Sequence, residues 1–115
     1  MNERRRFLRF DIALNALCDI VNEKCRRSYK VKNISSEGAL VLADKRFGQG
    51  TEINLSMDVP GDNVPIFAAC RVAWQQEGPD APYQTGLRFT KIDNSDRGRL
   101  LEYTYLQWLK ILDRK

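Results

Sequence analysis

Glu52-Ile53-Asn54-Leu55-Ser56-Met57-Asp58-Val59 alternates polar and apolar residues without a break. Successive side chains of a β-strand point to opposite faces, so Ile53, Leu55, Met57 and Val59 share one face and Glu52, Asn54, Ser56 and Asp58 the other. A helix would scatter the same four apolar residues around its circumference. The next run keeps this period, with Ile66, Ala68, Cys70, Val72 and Trp74 on one face and enough length for a strand that curves around a closing sheet. Extending the pattern in both directions gives candidate strands at 13–21, 28–34, 39–42, 52–59, 66–75 and 84–89. Gly48-Gln49-Gly50, Pro60-Gly61-Asp62-Asn63 and Gly78-Pro79-Asp80-Ala81-Pro82 break the runs with residues that suit turns. The class is mostly β, and six short strands with tight turns favour a small antiparallel barrel or sandwich.

After Phe89 the period changes. Leu101, Tyr105, Trp108 and Leu112 recur at helical spacing with Leu109 beside them, which predicts an amphipathic helix over about 95–112, capped by Asn94 or Ser95. This stripe has two targets, an open end of its own barrel or the same helix of a second copy, so the expected state is a monomer or a weak homodimer. Both tryptophans, Trp74 and Trp108, fall on apolar faces and are assigned to core packing.

The chain has 115 residues, 43% of them hydrophobic and 30% charged, which suits a single folded domain and argues against disorder. No apolar run reaches the length of a membrane span or a signal peptide, so a cytoplasmic protein without membrane insertion is expected. Cys18, Cys25 and Cys70 form no CxxC pair and the chain has no histidine, so the thiols are expected to be buried and reduced, with no metal site. Without histidine, a paired-carboxylate motif or a phosphate-binding glycine loop, the usual routes to catalysis lack their parts. Neither an enzyme nor a cofactor is expected.

The formal net charge is +4, unevenly spread. Residues 1–32 hold Arg4, Arg5, Arg6, Arg9, Lys24, Arg26, Arg27, Lys30 and Lys32 against only Glu3, Asp11, Asp19 and Glu23. Such a concentrated positive field attracts phosphates.

Two short motifs are left over by the strands and the helix. In Arg5-Arg6-Phe7-Leu8-Arg9 the outer arginines form an RxxxR spacing, with Arg4 directly before it. In Asn33-Ile34-Ser35-Ser36-Glu37-Gly38 an N-x-S-x-x-G segment falls between two candidate strands. A guanidinium forms paired hydrogen bonds with the O6 and N7 acceptors of guanine, pairs with phosphate and stacks on a purine face. In an extended arm the Cα atoms of Arg5 and Arg9 are roughly 13 Å apart, so one arm can touch a base and a distant phosphate. Asn33 and Ser35 have the same parity and are expected to present an amide and a hydroxyl to one face. Gly38 is expected to supply either a positive φ or a close backbone approach.

These two motifs, in this order before a run of short strands, resemble the PilZ domain family of cyclic di-GMP receptors. Val72-Ala73-Trp74 is similar to the family's V-x-W strand, and Thr85-Gly86-Leu87-Arg88-Phe89 to its closing strand before the C-terminal helix. The resemblance covers nearly the whole chain. It implies a six-stranded antiparallel β-barrel with a C-terminal α-helix, a PilZ-like split barrel in which 1–11 is a flexible arginine-rich arm and 12–89 the barrel. It also implies that cyclic di-GMP lies across the outside of the barrel. Arg5 and Arg9 would grip guanine and phosphate, Asn33 and Ser35 would read the guanine, Gly38 would shape the turn, and Arg4 would stack on a second, intercalated ligand molecule. As a single-domain member the chain would act as an adaptor on an unidentified effector protein in motility, exopolysaccharide synthesis or a related output. The competing readings are a nonspecific RNA or single-stranded DNA binder, and a PilZ-like protein-interaction module that binds no nucleotide. A nucleic-acid polymer is not the expected partner, because the basic residues gather beside one motif instead of tracking a groove.

Overall fold

The computed structural model describes residues 10–78 and 82–113. Six strands, β1 (Phe10–Ile20), β2 (Cys25–Ile34), β3 (Gly38–Ala43), β4 (Glu52–Met57), β5 (Ile66–Gln76) and β6 (Tyr83–Ile92), precede one helix, α1 (Asn94–Asp113). They close a barrel in the order β1-β2-β3-β6-β5-β4, and each neighbouring pair is antiparallel. Among the described residues, closure leaves no open sheet edge for other chains to pair with. The barrel starts at Phe10 and ends at Ile92, so residues 10 and 11 are strand rather than arm, and β6 extends past Phe89.

Period two does fill the barrel. Ile53, Leu55, Met57 and Val59 are buried with Leu14, Ala16, Cys18 and Ile20 of β1, Val31 and Ile34 of β2, and Ile66, Ala68, Cys70 and Val72 of β5. The Val, Leu, Ile and Met side chains among them contribute roughly 1.5–3 kcal/mol each when fully buried. Cys18 and Cys70 are 0% and 1% exposed, and burial pushes both thiols up to about 12. Cys25, at the start of β2, is only half-buried. Arg26, Arg27 and Lys30 of β2 are exposed, and Arg26 pairs with Asp19 at 2.8 Å and Arg27 with Asp44 at 3.3 Å.

One expectation about an apolar face is overturned, that for Trp74; the core-packing expectation for Trp108 falls on a side chain outside the described residues. Trp74 does not continue the inward face of β5: the register shifts between Val72 and Trp74 where they pair with Leu87 and Gly86. This bulge rotates Trp74 outward, and it is 40% exposed. On α1 the residues buried against the barrel are Leu100 and Thr104, both 0% exposed, whereas Tyr105 is 48% exposed. Thr104 is tolerated there because its hydroxyl donates to the Leu101 carbonyl at 2.9 Å. Asn94 and Ser95 lie inside the helix; Asp93, just before it, accepts from the Arg97 amide at 2.9 Å and from the Ser95 hydroxyl at 2.6 Å. Arg99 clasps the first turns of α1 to the β4–β5 connection through Asp62, Asp96 and the Val64 carbonyl. No described helix is long and apolar enough to cross a membrane.

Candidate functional site

The Asn33–Gly38 segment is the corner between β2 and β3. A second register shift, between Val31 and Asn33, inserts Lys32 into β2. Val31 and Ile34 therefore both point into the core although they are three residues apart, and Asn33, paired with Leu40, is left half-buried on the outer side. Ser35 is 6% exposed, and its hydroxyl oxygen accepts from the Glu37 amide at 3.2 Å. That contact makes Ser35 the internal brace of the corner as well as a candidate contact. Ser35 also donates its amide to the Gly38 carbonyl at 2.9 Å, and the Glu37 carbonyl receives the Phe89 amide at 2.8 Å, which pins the corner to β6.

Of the two roles open to Gly38, the structure uses close approach. A Cβ there would lie 2.1 Å from the Leu87 carbonyl oxygen, and the positive-φ glycines among the described residues are Gly50 and Gly61. Glycine lets β3 run hard against β6 immediately after the corner.

The barrel's outer side continues the site along two rows. In the first, Asn33, Leu40, Gly86 and Trp74 follow one another across β2, β3, β6 and β5. Leu40 is 7% exposed yet lies outside the core cluster, consistent with its outward register beside Asn33 and Gly86. The Trp74 indole occupies the place where Gly86 has no side chain: a Cβ on Gly86 would be 2.2 Å from its Nε1. In the second row Gly38, Arg88 and Arg71 are neighbours on β3, β6 and β5, and both arginines are exposed. A half-exposed indole, an outward amide and a guanidinium, all on rigid strands, make a platform for a flat aromatic, anionic ligand. Arg97 of α1 closes this end, 3.9 Å from Glu37, with its Nε buried and no hydrogen-bond partner among the described residues.

Asn33, Ser35 and Gly38 are thus together at one corner. Arg4, Arg5 and Arg9 lie outside the described residues. The described chain begins at Phe10 opposite Ile34, so it enters the barrel beside that corner. Trp74 and Arg88 are candidate site residues that parity alone does not find. The V-x-W and G-L-R-F segments carried the signal, since a tryptophan facing a glycine across two strands indicates a ring lying over bare backbone. Among the described residues no three or more His, Cys, Asp or Glu side chains gather as a metal site. A separate groove of about 460 Å³, bordered by Asp19, Asn54, Phe67, Lys91 and Asp93, contains none of the candidate residues.

A closed six-stranded barrel with a glycine-braced polar corner and a tryptophan-bearing outer face defines a small β-barrel domain with a candidate binding face on its exterior. The sequence profile of the PilZ domain matches residues 3–106, and the chain belongs to the PilZ domain family. Among solved structures, the Bacillus subtilis inhibitor of motility MotI/DgrA superposes with a TM-score of 0.79 at 21% identity, over 95% of this chain and 53% of that one. The PilZ domain of YcgR from Escherichia coli, solved with c-di-GMP, gives 0.72 at 10% identity over 97% of both chains. The K. pneumonia MrkH–c-di-GMP complex gives 0.77 at 16% identity, over 100% of this chain and 57% of that one. The chain therefore spans little more than half the length of MotI/DgrA and MrkH, and these likenesses establish the fold. A search of curated protein sequences finds no match.

Proposed function

We propose that this chain is a cyclic di-GMP receptor. The observation that carries the proposal is the register that sets Asn33, the Trp74 indole over Gly86, and Arg88 side by side outside the barrel, next to the Ser35–Gly38 corner. Family membership and the c-di-GMP-bound YcgR and MrkH structures point to the same ligand. In this reading Arg5 and Arg9 grip guanine and phosphate from the N-terminal side, Asn33 and Ser35 read the guanine edge, and Trp74 supports a purine face. Arg4 stacks on a second, intercalated nucleotide. Ordering of the segment before β1 over the ligand converts nucleotide concentration into a changed surface for an effector protein. A receptor for an intracellular second messenger acts in the cytoplasm, and binding rather than catalysis is its activity.

Calorimetric titration with cyclic di-GMP tests this reading. The native chain should take up two nucleotides per chain. Arg5→Ala and Arg9→Ala should each weaken binding by about 1.5–3 kcal/mol, the usual loss for a charge-assisted hydrogen bond. Equal heats in both variants and the native chain would remove the arginines from the site.

A further inference from the structure

We propose that Gln75 is a positioning residue for the outer face that carries Trp74: its side-chain amide holds β5 in the register that turns the indole outward. The register claim stands on the fold, and its consequence for ligand affinity rests on the cyclic di-GMP reading. From Ile66 to Val72 every second residue of β5 points inward, and regular continuation would set Trp74 inward, opposite Thr85. One extra residue prevents this. Val72 pairs with Leu87 and Trp74 with Gly86, so two steps on β5 match one on β6, and Gln75 takes the inward place opposite Thr85. On apolar grounds alone the exchange is unfavourable, since it leaves an indole 40% exposed and turns a polar amide inward.

The bonds of that amide offset the cost. Gln75 Oε1 accepts from the Phe47 amide at 2.8 Å, and Nε2 donates to the Lys45 carbonyl and the Thr85 hydroxyl, each at 2.9 Å. Both amide protons and the carbonyl oxygen are thus used. Thr85 is 0% and Phe47 6% exposed, so a tryptophan in this place would leave a buried hydroxyl and a buried main-chain amide without these partners. The strand also needs support here. The β4–β5 ladder ends at the pair Glu52 and Arg71, with two further bonds from Val72 to Gly50 and Thr51. Among the described residues, 73–76 therefore pair with β6 alone. On the open side Gln75 stands in for the missing strand, because its amide group both accepts from and donates to the main chain of the β3–β4 connection.

NMR of the full chain reads the register directly, through cross-peaks between the Trp74 indole N–H and the Gly86 α-protons, assigned with Trp74→Phe. The native chain should show them. Gln75→Leu, of similar size but without a hydrogen-bonding group, should lose them, and Gln75→Glu, which accepts from Phe47 but cannot donate to Lys45, should reduce them. Gln76→Leu, at the exposed next position, should keep them. Cyclic di-GMP affinity in Gln75→Leu should fall by the same factor as in Trp74→Ala, about 5–150-fold, with no further loss in the double variant. Native cross-peaks in Gln75→Leu, or in Gln75→Glu where the leucine variant does not fold, would overturn the proposal, as would their loss in Gln76→Leu. A native chain that shows the cross-peaks, loses them in Gln75→Leu and takes up no cyclic di-GMP would end the nucleotide reading and leave the positioning role standing.

Discussion

Gly86→Ala separates the Trp74 platform from the fold that carries it. A Cβ at position 86 would lie 2.2, 2.4 and 2.8 Å from Nε1, Cε2 and Cδ1 of the indole, whereas ordinary contact begins near 3.4 Å. The obstacle is a side chain that is 40% exposed, so the ring can swing into solvent while the strands stay in place. Stability should change little. Lost ring packing of about 1–2 kcal/mol is offset by about 0.4–1 kcal/mol from the reduced freedom of the unfolded chain. Ligand affinity should suffer more, because stacking of a base on an aromatic side chain contributes about 1–3 kcal/mol, or about 5–150-fold in Kd. Urea denaturation and calorimetric titration measure the two effects. Trp74→Ala should lose the same affinity as Gly86→Ala, and the double variant should lose no more than either alone. Native affinity in Gly86→Ala, or additive losses in the double variant, would refute the role given to Trp74.

Gly38→Ala has no flexible neighbour to yield. Its Cβ would meet the Leu87 carbonyl oxygen at 2.1 Å, so β3 must pull away from β6 and strain the bonds between Ser35 and Gly38 and between Phe89 and Glu37. Urea denaturation should show a loss of about 2–4 kcal/mol, against almost none for Gly48→Ala, where the nearest atom is 3.8 Å away. Cys18 and Cys70 are raised by burial from 9.0 to about 12, with smaller contributions from Asp19 and Cys18 respectively. Their folded values lie above their unfolded ones, so the linked stability is fully present below pH 9 and is lost as pH rises towards 12. Denaturation midpoints should fall across that window, and less steeply in Cys18→Ala measured against its own neutral-pH value. At pH 8 an alkylating reagent should modify the half-buried Cys25 in the native state and reach Cys18 and Cys70 only after unfolding.

The barrel was legible because inward positions repeat every second residue, and core packing punishes any slip in that register. Reading failed where one extra residue breaks the count. Ala73 sits in the bulge that turns Trp74 outward, and Lys32 in the bulge that keeps both Val31 and Ile34 inside. Parity has no term for a bulge, whose position depends on the partner strand. The helix is legible from its spacing, but the Leu100 and Thr104 side that the barrel buries is not. A regular Leu-Tyr-Trp-Leu stripe outweighs a Leu100–Thr104 contact in any apolar pattern, and a buried threonine is masked by its satisfied hydroxyl. The corner's residue types marked it in the sequence, whereas only the pairing of β3 with β6 shows that Gly38 is needed for space and not for an unusual φ.

Titration of the folded chain with cyclic di-GMP, alongside GTP as a comparison, tests the central claim most directly. Saturable binding of cyclic di-GMP at two per chain, weakened in both Arg9→Ala and Trp74→Ala, is the predicted result. A cooperatively folded chain that gives no heat with millimolar cyclic di-GMP would contradict it.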